Sequence, residues 1–381
     1  MNKLYENFRI NTDKALLAVS RAAYDVTGGL IGRTRFTKTV DVEEIGTDVK
    51  IIAETGDSVT IAKTDKNGKI VNKGFRILST SDMHLGDSPE GRKKCIGMLM
   101  KQIKSTRPDL VVLTGDIILG KYQHLDAIEF AQFMEKVGIY WAFVFGNHEA
   151  REEKGRFKEL LMKCQTTFPH CLARQGREDL FGLCNYTINI LKSENEIMHT
   201  LVMLDSGRDI LDEYRAEQNV PKEIEGYDYL KKNQLEWYES KLTELGMPPS
   251  FMYMHIPLKE YEYAVCQDEN GKFCFTDKCE IIYGDVYESV GSSAINSGMF
   301  ELIKKLGSTK AVFSGHDHVN DFCALYDGVY LVYSQTGGYE TYTLEEKTGW
   351  DESRWPQGVT ITDINPDGTF DISPRYNRIY L

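Results

Sequence analysis

The sequence predicts an α/β domain, and three observations point to it. From residue 75 onward, short apolar strand-like runs alternate with helix-length segments. Hydrophobic residues make up 41% and charged residues 27% of the 381, enough apolar material to bury a core. Five of the strand-like runs also end in clusters of histidine, aspartate or asparagine. Before residue 75 the pattern differs. Residues 13–24 can form an amphipathic helix stopped by Gly28 and Gly29, and residues 49–73 read as short strands with turns at 55–57 and 66–68. Residues 1–74 are therefore expected to be an N-terminal helix/strand extension packing on a main domain of residues 75–381. In that domain strands are expected at 75–78, 110–113 and 140–145, with helices at 93–103, 125–137 and 152–162. Strands follow at 200–204, 251–254 and 310–313, with helices at 232–245 and 297–306 and a closing hairpin of 358–363 and 369–372.

Composition excludes some functions. The 45 Lys and Arg against 57 Asp and Glu give a net charge of −12, and no basic run marks a nucleic-acid footprint. No stretch reaches the roughly 18 uncharged apolar residues of a membrane span. Residues 1–10 lack the continuous apolar core of a signal peptide, which leads to the expectation of a cytoplasmic protein. The eight cysteines are scattered and form no CxxC pair, consistent with reduced thiols.

The clusters at the strand ends carry the chemistry. They are Asp82-Met83-His84, Gly115-Asp116, Gly146-Asn147-His148-Glu149, His255 alone, and Gly315-His316-Asp317-His318. Ligands in open α/β sheets bind beyond the carboxyl ends of the strands, so residues distant in sequence are expected to converge on one edge. An i, i+2 pair leaving a strand can turn both side chains to one centre, and the glycines permit close backbone approach. Imidazole, carboxylate and amide donors without thiolate suit Mn, Fe, Zn or similar ions rather than a structural zinc site. Each cluster alone reads as readily as a turn; five in order, holding five of the eight histidines, do not.

This ordered set resembles the signature of the calcineurin-like metallophosphoesterases, over residues 75 to about 342. Leu204-Asp205-Ser206-Gly207, His255-Ile256-Pro257, Ile295-Asn296-Ser297-Gly298 and Gly315-His316-Asp317-His318-Val319-Asn320-Asp321 resemble the purple-acid-phosphatase-like branch in particular. The resemblance implies a β-sandwich of two mixed sheets flanked by helices. It also implies two metal ions (Mn, Fe, Zn or a mixed pair), one held by Asp82, His84, Asp116 and His318. The other would be held by Asp116, Asn147, His255 and His316, with Asp116 bridging. Such ions, roughly 3.5–4 Å apart, clamp the attacking and leaving oxygens and activate a bridging water. His148 is implied to act on the leaving oxygen, with Glu149 orienting it. One position departs from the purple enzymes: Leu119 stands where their tyrosine ligand would be.

The function so implied is hydrolysis of a phosphate monoester, on a phosphorylated small molecule or a phosphoprotein. Phosphodiester hydrolysis, including that of cyclic nucleotides, is the alternative, and a non-catalytic scaffold fits less well because no ligand is missing. Residues 257–297 are expected to cover the site. They carry Cys266, Cys274 and Cys279, which read as loop cysteines in preference to a small zinc knuckle.

Overall fold

The computed structural model describes residues 40–120, 123–149, 156–216, 219–342 and 357–377. The helix expected at 13–24 lies outside them. In chain order the strands are β1 (Val49–Glu54), β2 (Ser58–Lys63), β3 (Phe75–Thr80), β4 (Leu110–Thr114), β5 (Trp141–Val144), β6 (Tyr186–Ser193), β7 (Glu196–Met203) and β8 (Ser250–Tyr253). Then come β9 (Val265–Gln267), β10 (Phe273–Phe275), β11 (Glu280–Tyr283), β12 (Thr309–Ser314), β13 (Cys323–Tyr326), β14 (Val329–Tyr333), β15 (Gly358–Ile364) and β16 (Phe370–Tyr376). The helices are α1 (Pro89–Thr106), α2 (Gln123–Val137), α3 (Arg156–Thr166), α4 (Asp212–Arg215), α5 (Lys232–Glu244) and α6 (Met299–Leu306), with a 3-10 helix at Lys259–Ala264.

Two mixed sheets form a sandwich. One has nine strands in the order β1-β2-β6-β7-β8-β12-β14-β13-β11, the other five in the order β16-β15-β3-β4-β5. Strands β3, β4 and β5 run parallel in the small sheet, and β7, β8, β12 and β14 in the large one. Period-two alternation explains the layering. Leu201, Met203, Phe251, Tyr253 and Phe313 join Ile77, Val111 and Phe143 in the core between the sheets. Their chain neighbours Val202, Leu204, Met252, Met254 and Val312 belong to a second core with Trp237, Tyr238 and Leu242 of α5 and Phe300 and Ile303 of α6. The large sheet is thus apolar on both faces, and its strands read as continuous hydrophobic runs. Helices α1 and α2 place Ile96, Leu99, Phe130 and Met134 in the first core.

Local chemistry sets the ends of α1, which outruns the expected 93–103 in both directions. Ser88 Oγ accepts from Gly91 N at 3.0 Å with Pro89 beginning the helix, and Arg107 closes it in the left-handed region at φ 46°. Strands β1 and β2 do more than pack on the main domain. Strand β2 pairs in parallel with β6, so both extend the large sheet, and Val49, Val59 and Ile61 enter its core. Strand β6 was not expected because Thr187 and Asn189 interrupt its apolar pattern. Their side chains are matched across the sheet by Ser58 Oγ at 3.0 and 3.1 Å, and Asn189 Oδ1 accepts from Thr200 at 3.0 Å.

Candidate metal centre

The five clusters leave the carboxyl ends of β3, β4, β5, β8 and β12, three from the small sheet and two from the large. The sandwich brings those ends to one edge, where the loops bond directly: Asp82 N to Gly115 O at 3.1 Å, His84 N to Asp116 O at 2.9 Å, Gly315 N to His255 O at 3.1 Å. His316 N donates to Asp82 Oδ2 at 2.9 Å and so ties the two sheets together. Asp82, His84, Asp116 and His316 all have positive φ, between 43° and 78°. Non-glycine residues in that region gather at ligand sites, where the surrounding bonds hold them. At Gly146 a Cβ would lie 2.0 Å from Asp116 Oδ1, so only glycine lets the chain pass the carboxylate.

All seven expected ligands meet there. His84 Nε2 and His318 Nε2 are 3.1 Å apart, and Asp82 Oδ1 lies 3.6 and 3.4 Å from them. Asp116 Oδ2 is 3.7 Å from His84 Nε2, 3.3 Å from His255 Nε2 and 3.8 Å from His148 Nε2. Asn147 Oδ1 faces His255 Nε2 at 2.9 Å and His316 Nδ1 at 3.0 Å. Asp82 Oδ1 and Asp116 Oδ2 are buried without any hydrogen-bond partner. Two bare carboxylate oxygens ringed by imidazole nitrogens form a donor set that cations fit. Three groups could hold an ion: Asp82, His84 and His318; His84, Asp116 and His148; Asp82, Asp116 and His255. The carboxylates recur in these groups, as expected of a dinuclear centre.

The electrostatics agree. Burial works to raise both carboxyls, yet His318 and His84 hold Asp82 far below the usual range, and His255 holds Asp116 below it. Against its own burial, His255 is pushed up to about 10 by Asp116, while burial and then the His255 charge push His316 down to about 3. The two carboxyls are thus held in the ionised form that a cation would bind.

Neighbouring groups aim the ligands. His255 Nδ1 donates to Thr114 O at 2.8 Å, which leaves Nε2 toward the centre with a free lone pair when the ring is neutral. His318 Nδ1 meets Thr341 Oγ1 at 2.8 Å, and its ring stacks on Tyr342 at 4.3 Å. No spacing in the sequence marks Thr341, Tyr342 or Tyr227, whose ring meets His316 edge-on at 4.2 Å. Glu149 is held from behind the centre. Its carboxylate accepts from the backbone N–H of Asp116, Gly146, Ile117 and Ile118, so it braces the loops that carry Asp116 and His148. Burial, then the Asp116 charge, pushes it up to about 7. Asp317 accepts from Gly291 N and Tyr333 Oη. That bond draws the 257–297 segment onto the site, where a Cβ on Gly291 would stand 2.8 Å from His316 Cδ2.

Comparison with known families fits this geometry. Residues 75–320 match the family model for calcineurin-like phosphoesterases. The chain belongs to that family. This phosphoesterase is 30% identical over 316 residues to a protein of Arabidopsis thaliana named probable inactive purple acid phosphatase 14, spanning 72% of this chain and 73% of the relative. It is 29% identical over 334 residues to another, named probable inactive purple acid phosphatase 29, spanning 77% and 78%. A dimetal phosphatase from Danio rerio shares the fold, with a TM-score of 0.52 at 15% identity, over 80% of this chain and 96% of that one. Fold and clustered donors together make this phosphoesterase a metal-dependent enzyme. Among the described residues no helix is long and apolar enough to cross a membrane.

Proposed function

We propose that the enzyme hydrolyses phosphate monoesters, on a phosphorylated small molecule or a phosphoprotein. The observation that carries this reading is the pair of unpartnered oxygens, Asp82 Oδ1 and Asp116 Oδ2, within 3.3–4.0 Å of imidazole Nε2 atoms. Asp82, His84, Asp116 and His318 would hold one ion, and Asp116, Asn147, His255 and His316 the other. When bound, such a pair polarises the phosphoryl group and supplies a nucleophile at neutral pH. With only two carboxylates in the donor set, the loaded centre is net positive and attracts a dianionic phosphate despite the charge of −12 on the whole chain.

His148 takes the part of general acid. Its side chain keeps 22% of its exposure, against 0–8% for the side chains of Asp82, His84, Asp116, His255 and His318, so it can reach bound ester. Its backbone N–H donates to Asp116 Oδ1 at 2.8 Å, which ties its place to the shared carboxylate. Its ring stands edge-on to His84 at 5.0 Å. From there it would hand its proton to the departing ester oxygen. Gly291 and Tyr227 crowd His316 and Tyr342 covers His318, while the His148 side is more open. That asymmetry favours an ester with one organic group over a diester.

A leaving-group series tests both halves. General-acid catalysis is worth about 10²–10⁴-fold. His148→Ala should keep its metal and lose far more kcat/KM on alkyl phosphates than on p-nitrophenyl phosphate, whose leaving group needs no proton. Equal losses across the series, or loss of metal, would remove the assignment. Faster turnover of bis(p-nitrophenyl) phosphate than of p-nitrophenyl phosphate would overturn the monoester reading.

A further inference from the structure

Away from the metal centre, Cys266 and Cys274 bring two thiols together. They stand directly opposite each other where β9 and β10 pair as an antiparallel hairpin. Their sulfurs are 2.6 Å apart, whereas unbonded heavy atoms settle at about 3.5–4.0 Å. The hairpin holds them there. Asp268 N donates to Lys272 O at 2.9 Å, and the Asp268 carboxylate accepts from Asn270 N at 2.8 Å and Lys272 N at 2.9 Å. At the open end Thr276 N donates to Ala264 O at 3.0 Å. Directly opposed residues in such a ladder have Cα atoms about 4.5–5.5 Å apart, inside the range a disulfide spans. Both cysteines are half-buried and reachable, whereas Cys95, Cys164, Cys171, Cys184 and Cys323 are buried. Cys279 lies nearby in sequence, but among the described residues no metal-capable group contains a cysteine, which argues against a zinc knuckle.

We propose that Cys266 and Cys274 form a reversible cross-strand disulfide by exchange with a low-molecular-weight disulfide such as oxidised glutathione. One protein thiolate attacks the external disulfide, giving a mixed disulfide and releasing one small thiol. The second cysteine then displaces the other small thiol as the Cys266–Cys274 bond closes. The two protein thiols are oxidised, the external disulfide is reduced to two thiols, and those carry the two protons. The crosslink braces the segment that covers the metal centre. The hairpin follows the 3-10 helix, whose Glu262 accepts from Ser292 Oγ and whose Glu260 accepts from Asn296 Nδ2 at 2.8 Å. Those partners follow Gly291, which rests on His316, in the same stretch of chain.

The test is intact-mass spectrometry of the full chain equilibrated in glutathione buffers of rising oxidised fraction. The mass should fall by two hydrogens, return under dithiothreitol, and map to a peptide linking Cys266 to Cys274. Cys266→Ser and Cys274→Ser should each abolish the loss, and the oxidised protein should melt a few degrees higher. Mass unchanged at every redox ratio, glutathione adducts without ring closure, or a crosslink to Cys279 would overturn the proposal. Because the readout is mass, the outcome does not depend on the enzyme's substrate.

Discussion

Asp116 sits where the centre can least tolerate change. Its Oδ2 faces His84, His148 and His255, and its Oδ1 accepts from the backbone of His148. Asp116→Asn keeps the shape but removes the charge that both ions would share. It should lower bound metal from about two ions per chain and cost more activity than any other single ligand change, as elemental analysis with kinetics would show. Glu149 is a quieter counterpart. Glu149→Ala leaves four buried backbone N–H donors without their acceptor, and each buried orphan costs about 1–3 kcal/mol before water or relaxation compensates. A loss of roughly 2–4 kcal/mol in urea unfolding of the metal-free protein is expected. An unchanged midpoint would show that the brace is redundant. Leu119 bears on colour. The ring stacked on His318, Tyr342, gives its hydroxyl to Glu288 at 2.9 Å. Iron-loaded enzyme should therefore lack a tyrosinate charge-transfer band in its visible spectrum.

Among the elements, β7 carries a titration that the site does not need. His199 is buried, stacks on Phe251 of β8 at 4.5 Å, and donates from Nε2 to Gly368 O at 3.2 Å, at the turn between β15 and β16. Burial pushes it down to about 4 from an ordinary 6.5. As pH falls, the unfolded chain takes up this proton near 6.5 while the folded chain resists until about 4. Stability is therefore unaffected above pH 6.5 and declines below it, by up to about 3 kcal/mol at pH 4. His199→Phe should flatten this limb relative to the wild type when unfolding free energy is measured from pH 7 to 4. A difference between the two proteins that does not change with pH would exclude His199 as the source. The same scale explains why some strands were legible and others not. Strands β3, β4, β5, β8 and β12 are short and buried over most of their length, so each reads as a largely apolar run ending at a donor cluster. Strand β6 hides its pattern because its polar side chains are matched only by partners more than a hundred residues away or on the next strand.

For the whole molecule, the two sheets hold the donors in place, and bound cations would complete their charge balance. Metal that binds only the folded chain should stabilise it by about 2.7 kcal/mol at a free concentration a hundredfold above Kd. Thermal unfolding with added Mn or Zn should show that rise, a chelator should reverse it, and Asp116→Asn should blunt it. Failure of any transition metal to shift the melting temperature would remove the dinuclear centre. Much of this was written locally. Strand-length apolar runs and donor residues just past the strand ends depend on neighbours close in sequence, so the α/β class and the five clusters could be read from the chain itself, while the sharing of their residues between two ions came only from the family resemblance. Distances between segments could not. That His316 N reaches Asp82, that Glu149 braces the Asp116 loop, that β1 and β2 complete the large sheet, and that Cys266 meets Cys274 are facts of pairing. Register and sheet order are chosen by the burial of the whole core, a collective energy that no single stretch of sequence carries.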